Sequence, residues 1–183
     1  MLAGQLVTMG VCPGALAPLL LDPPALAVAL GANLPSAAGS PRQTLLALRP
    51  LLAEVLQNWA DASLVLHWSP LISTAPVGGP ADQPAYLNAV VLLRGLAEPP
   101  SQARALQLLT QLQALEQRFG RNRNLEQRWG PRTLDLDLLF WGELRVDHPQ
   151  LQLPHPRLHL RAFVLQPLLA AMEGSHQWSD HPA

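Results

Sequence analysis

Arg128-Trp-Gly-Pro-Arg-Thr-Leu-Asp-Leu-Asp-Leu-Leu-Phe140 alternates two carboxylates, Asp135 and Asp137, with Leu134, Leu136 and Leu138. Strict alternation predicts a strand, whose side chains two apart share a face at roughly 7 Å. Two ionised groups side by side on a buried strand repel each other and are poorly solvated, so they need cations nearby. Oxygen-seeking Mg²⁺ suits that need. Arg132 stands three residues before Asp135 and Arg128 seven before it, so guanidinium groups able to meet a polyphosphate lead into the two-carboxylate platform. The same pattern also serves a solvated strand face on which Asp and Arg pair for solubility.

Upstream of this strand, Arg121 to Gln127 is a polar loop carrying Arg121 and Arg123, and Gly120 before it reads as a helix cap. Two arginines on a mobile loop beside a cation platform can close over a triphosphate, although charged loops are also commonly just solvated. The helix that Gly120 ends begins at Pro99-Pro-Ser101 and has an apolar stripe of Ala105, Leu108, Leu109, Leu112 and Leu115. Gln113 and Glu116 are neighbours near its C-terminus, where the dipole disfavours a carboxylate and Glu116 gains from a cationic partner. Ala25–Leu30 and Tyr86–Leu93 read as buried strands, and Asp61–Trp68 as a third; Tyr86 and Asn88 share a face, able to stack on and hydrogen-bond a flat heterocycle. Both also suit an ordinary core aromatic and a satisfied amide. Ser40-Pro41 opens a first helix to about Asn58, and the Gly- and Pro-rich loop from Thr74 to Pro84 is long enough to be functional. Downstream, Leu144–Val146 and Leu151–Leu153 read as a hairpin, followed by the Pro154-His-Pro156 loop and a helix from Leu158 to Met172. The fold class expected is α+β: a β-α-β-β-α-β ferredoxin-like order with a C-terminal hairpin and helix.

All twelve basic residues are arginine and eight fall between Arg118 and Arg161, which concentrates positive charge around the Asp pair. Without lysine there is no P-loop and no Schiff base. A net charge of −1 argues against a non-specific nucleic-acid surface. The lone Cys12 excludes an internal disulfide and fits a cytoplasmic location. At 183 residues the expected organisation is a leader over 1–24, poorly ordered; one domain over 25–172; and a polar tail over 173–183, whose His176 and His181 point to disorder rather than metal binding. No stretch suits a membrane span.

These residues resemble the 6-hydroxymethyl-7,8-dihydropterin pyrophosphokinase family, through Arg128 to Asp137, Leu30-Gly-Ala-Asn33, Asp82-Gln-Pro-Ala-Tyr-Leu-Asn88, the arginine loop and Pro154-His155. The resemblance implies transfer of pyrophosphate from ATP to a pterin hydroxymethyl group in folate biosynthesis, with two Mg²⁺ on Asp135 and Asp137. It implies catalytic roles for Arg121, Arg123 and Arg132, and ATP contacts for these with Gln113, Glu116, Leu138, His155 and Arg161. For the pterin it implies Tyr86 and Phe163 as an aromatic sandwich, Asn88 as the amide, Thr74, Ala75, Pro76 and Val77 as a contact loop, and Trp129 packing over the site. The arginine loop is one residue longer than the family form, a usual Lys is Asn124, and Gln150, Gln152 and Pro156 replace an Arg, a Thr and an aromatic near the nucleotide. A monomer acting on small molecules is expected. Competing readings are a pterin-binding pseudoenzyme, a two-metal nucleotidyltransferase, and an RNA-binding domain of the same strand order.

Overall fold

The computed structural model describes residues 24–62, 64–123, 129–174 and 176–178. The expected leader up to residue 23, the stretch from 124 to 128 with Arg128 and Asn124, and His181 lie outside the described residues. The elements run β1 (Leu26–Ala32), α1 (Pro41–Ala60), β2 (Val65–Trp68), β3 (Ile72–Thr74), β4 (Tyr86–Arg94), α2 (Gln102–Arg118), β5 (Asp135–Trp141), β6 (Val146–His148), β7 (Leu151–Leu153) and α3 (Ala162–Glu173). The fold is α+β. Its main sheet is antiparallel in the order β2-β4-β1-β5, and β3 also pairs with β4.

The helices start where local chemistry permits. Ser40 accepts from the Gln43 amide while the Gln43 side chain accepts from the Ser40 amide, and Pro41 fills the first helical turn. Ser101 accepts from the Arg104 amide at the start of α2. Gly120 follows α2 at φ +86°, a conformation that costs glycine little.

One face of the sheet packs on α1 and α2. Leu26, Val28 and Leu30 of β1, Val91 and Leu93 of β4, and Leu134, Leu136 and Leu138 beside or on β5 meet the helix leucines there, all buried. On the other face Ala27, Val90, Leu92, Leu139 and Phe140 pack on Val164, Leu168 and Ala171 of α3. That second face changes character along the strands. Beyond Ala27 come Ala29 and Gly31 of β1, Asn88 and Tyr86 of β4, and Asp137 and Asp135 of β5. The register aligns Asn88, Gly31 and Asp135 in one row across three strands. The expected division of β4, with Tyr86 and Asn88 opposite Leu87 and Ala89, holds: Leu87 and Ala89 lie on the α1/α2 side.

Three expectations change. The segment before the Gly/Pro loop forms a further strand, β3, so Thr74 ends a strand instead of opening a loop. The hairpin's first strand begins at Val146, because the turn after Trp141 takes up Leu144, whose amide donates to the Trp141 carbonyl at 3.0 Å. Third, the polar tail does not leave the molecule at Glu173: the His176 amide donates to the Trp68 carbonyl at 2.7 Å, and Trp178 packs edge-on to Trp68. Among the described residues no helix is long and apolar enough to cross a membrane.

Candidate active site

The row Asn88, Gly31 and Asp135 floors a pocket. A Cβ on Gly31 would stand 3.2 Å from Asn88 Oδ1 and 3.9 Å from both Asp135 and Tyr86, so glycine keeps the floor flat. Around it stand Thr74, Ala75, Val77, Tyr86, Trp129, Arg132, Asp137, Arg161 and Phe163. Every residue expected at the pterin is therefore brought here except Pro76, which is not among the lining residues. The Asn88 amide donates to Thr74 Oγ1 at 2.7 Å, and Tyr86 donates to the Gly130 carbonyl at 2.8 Å. Trp129 sits half-exposed at the mouth with φ +60°, a costly conformation for a bulky residue. Its carbonyl lies so close to Gly79 that a Cβ there would collide, and it accepts from Gln83 at 3.1 Å.

Two arginines hold Asp135. Arg121 donates to Oδ1, and Arg132 to Oδ2 at 2.9 Å. Arg132 is itself fixed through its backbone: its amide donates to Asn33 Oδ1 at 2.7 Å, and its carbonyl accepts from the Asn33 and Leu34 amides at 3.0 Å. Asn33, only 2 % exposed, also donates to the Pro84 carbonyl at 3.1 Å and so ties the ends of β1, the Gly/Pro loop and the approach to β5 together. Burial opposes ionisation of Asp135, but Arg121 and Arg132 outweigh it and hold its carboxyl below the usual range. It is therefore the poorer base of the pair.

Asp137 is held loosely. Arg161 approaches Oδ2 at 3.5 Å and His155 Nε2 at 3.9 Å, the latter too far for a hydrogen bond. Burial and the neighbouring Asp135 charge push its carboxyl up to about 7. His155 moves the other way. Burial first, then the Arg161 charge, lower it to about 4, so its ring is neutral at pH 7. Its Nδ1 accepts from the Arg157 amide at 3.2 Å, which assigns the ring proton to Nε2, on the side of Asp137. The ring can thus donate to an anion without carrying charge.

Glu116 departs from its expected place on the nucleotide. Its side chain is 1 % exposed and turned inward, where Oε1 accepts from the Leu136 amide at 2.8 Å and from Arg121 at 2.5 Å, and Arg123 grips both oxygens at 2.7–3.0 Å. The expectation of a cationic partner at the end of α2 is met twice over. Burial raises the Glu116 carboxyl while Arg121, the Leu136 amide and Arg123 pull it back. Arg121 is correspondingly buried between Glu116 and Asp135; Arg123, with 48 % of its side chain exposed, is the more accessible of the two.

A second, wider cleft lies on the far side of Asp137. Leu109, Gln113, Arg123, Leu136, Leu138 and His155 line it, together with Asp147, Gln150, Gln152 and Pro156 of the hairpin region. Gln113, Leu138, His155 and Arg123, expected at the nucleotide, meet here. Arg132 and Arg161 line the first pocket instead. Ala29 and Gly31 reach the pocket through strand register, and Asn33, just past β1, serves it through Arg132 and Pro84; the Leu30-Gly-Ala-Asn33 stretch carried the family resemblance but no local signal of these roles.

The family of 7,8-dihydro-6-hydroxymethylpterin-pyrophosphokinases matches residues 27–173 of the chain. Among similar proteins, the 2-amino-4-hydroxy-6-hydroxymethyldihydropteridine pyrophosphokinase of Pseudomonas aeruginosa is 43 % identical over 141 residues, 77 % of this chain and 76 % of that protein. The enzyme of the same name from Bacillus subtilis is 38 % identical over 141 residues, 77 % of this chain and 74 % of that one. A folate synthesis bifunctional protein of Arabidopsis thaliana is 43 % identical over 105 residues, 57 % of this chain and 17 % of that longer protein. Matched by the family over residues 27–173 and by relatives along three quarters of its length, the chain belongs to the 7,8-dihydro-6-hydroxymethylpterin-pyrophosphokinase family, transferases of folate synthesis.

Proposed function

We propose that the protein transfers the β,γ-pyrophosphate of ATP to the hydroxymethyl group of 6-hydroxymethyl-7,8-dihydropterin and releases AMP. The observation that carries this reading is that Asp137 lines both cavities. A flat acceptor over Gly31 between Tyr86 and Phe163, and a nucleotide along Gln113, Leu138 and His155, then meet at that carboxylate. The hydroxymethyl oxygen attacks the β-phosphorus, the bond from that phosphorus to the α,β-bridging oxygen breaks, AMP leaves with that oxygen and its electron pair, and the hydroxyl proton passes to water.

Asp135 and Asp137 fit a divalent cation. Among the described residues Arg121 meets one Asp135 oxygen and Arg132 the other, which leaves lone pairs for a cation, and Asp137 is held only weakly. Among the described residues no group of three or more His, Cys, Asp or Glu side chains forms a metal cluster, which suits Mg²⁺ completed by phosphate and water oxygens. Two such ions, when bound, would neutralise the triphosphate and draw the reacting oxygens into line. The chain's own part is positioning. Arg123 can exchange Glu116 for phosphate, Arg161 stands 5.6 Å over Phe163 with its charge toward Asp137, and His155 offers a neutral donor. We read the sheet as a ferredoxin-like core within one domain over 25–172, and the protein as a cytoplasmic monomer acting on small molecules.

Incubating the chain with ATP, Mg²⁺ and the dihydropterin should yield AMP only when all three are present. Pyrophosphate release with a nucleotidylated product would make it a nucleotidyltransferase, and pterin binding without AMP a pseudoenzyme. Gln150 and Gln152 leave the hairpin wall of the nucleotide cleft without an arginine. Gln150→Arg should therefore lower the KM for ATP about fivefold by adding a charge-assisted contact, with kcat nearly unchanged. An unchanged or higher KM, measured by AMP release at saturating pterin, would remove that wall from the nucleotide site.

A further inference from the structure

We infer that Trp178, in the segment after the last helix, is a positioning residue for the acceptor pocket; the substrate named in this inference rests on the function proposed above. β2 and β3 are two halves of one edge strand on β4. Trp68 pairs with Val91 and Ile72 with Asn88, so the three residues 69–71 stand opposite the two residues 89 and 90. That is a one-residue bulge, and it sets the register in which β3 delivers Thr74 opposite Tyr86, beside Asn88.

Ser69 holds the inner side of the bulge. Its amide donates to the Val90 carbonyl at 2.9 Å, and its Oγ accepts from the Val90 amide at 2.9 Å. The outer side is held from a distance in sequence. Trp178 Nε1 donates to the Ser69 carbonyl at 2.7 Å, and the His176 amide to the Trp68 carbonyl at 2.7 Å. These are carbonyls of an edge strand, which otherwise face solvent or an unwanted partner. The indole is in turn fixed by its edge-on packing against Trp68, centroids 5.3 Å apart, and by the Arg49 guanidinium, 4.9 Å from both rings. Burial lowers the Arg49 pKa, in keeping with a cation enclosed by the two indoles.

From Ser69 the chain runs directly through Pro70 and Leu71 into β3. If the outer side loosens, the bulge can slide, and Thr74 loses its register opposite Tyr86 and with it the hydrogen bond it accepts from the Asn88 side-chain amide at 2.7 Å. Trp178 thus acts on the acceptor wall through Ser69 and β3 without touching the acceptor. The two carboxylates lie on β5 and the nucleotide cleft between α2, β5 and the hairpin, away from this strap.

The test is Trp178→Ala beside Trp178→Phe in the full chain. Trp178→Ala should raise the KM for the dihydropterin about fivefold, the loss expected for one well-formed hydrogen bond with its packing, while kcat and the KM for ATP stay within about twofold. Amide hydrogen exchange in 69–74 should accelerate while the β1 and β5 amides keep wild-type rates. Trp178→Phe, which keeps a ring but removes the donor, should fall between. An unchanged pterin KM with unchanged exchange in 69–74 overturns the inference, as does acceleration spread evenly over the whole sheet. Should the wild-type chain release no AMP, the exchange data alone decide whether Trp178 pins β3, so failure of the strap and failure of the substrate assignment remain separate results.

Discussion

Asp137→Asn should lower turnover by about 10³-fold or more, the scale expected when a central charge contact of a two-cation site is lost, and should at the same time make the metal-free protein more stable at pH 8. The stability gain follows from the direction of the shift. Burial and the Asp135 charge raise the folded carboxyl from 3.8 to about 7, so the folded state binds this proton more tightly than the unfolded chain. The destabilisation is absent below about pH 4, grows as pH rises, and is complete above about 7. Asparagine removes it. With 33 % of the side chain exposed, solvent screening cuts the gain to about 1–2 kcal/mol, or about 2–8 °C in Tm for a chain of this size. Thermal melts of chelator-treated wild type and variant at pH 4.5 and pH 8 check it: the gap between the curves should be small at the lower pH and open at the higher. A variant no more stable at pH 8 would mean that Arg161 already compensates the charge. A variant that keeps wild-type turnover would remove Asp137 from the centre of the reaction.

The Asp pair was legible because its neighbours alternate with period two, whereas β1 and β4 were legible as short, largely apolar runs. The helix faces were legible from the stripes that now pack under Leu134, Leu136 and Leu138. What did not show was whatever depends on pairing between distant segments. β3 is three residues long, preceded by Pro70-Leu71 and followed by a Gly- and Pro-rich loop, too short for any period to register; only β4 makes it a strand. Gly31 has no pattern of its own and becomes floor because register sets it between Asn88 and Asp135. Trp178 lies in a polar segment whose composition suggested disorder, and its partner indole is 110 residues away at Trp68. Glu116 was legible as a carboxylate in need of a cation at a helix end, but its inward turn was not. The Leu136 amide that draws it in belongs to another element.

That inward turn leads to the second large effect, Arg121→Ala. The sequence suggests that Arg121 rides a loop and engages only as the loop closes; in that case its loss would slow the chemical step and leave the fold alone. The structure instead buries its guanidinium between Glu116 and Asp135. Removing it leaves Glu116, 1 % exposed, with Arg123 and the Leu136 amide as partners, and takes from Asp135 one of its two cations. The expected loss is about 2–4 kcal/mol, toward the lower end for breaking a buried pair because Arg123 remains. For a chain of this size that is a fall of about 4–16 °C in Tm. Turnover should fall with it, since Asp135 sits on β5 beside Asp137. The discriminating measurement is a double-mutant cycle with Glu116→Gln. If Arg121 is a strut, the second substitution removes the stranded charge and restores part of the stability lost in Arg121→Ala, a coupling of about 1–3 kcal/mol. Purely additive melts, or an Arg121→Ala protein that melts like wild type and is slow only in the chemical step, would return Arg121 to the moving loop. Arg123, already half in solvent, would then have to be the one that holds Glu116.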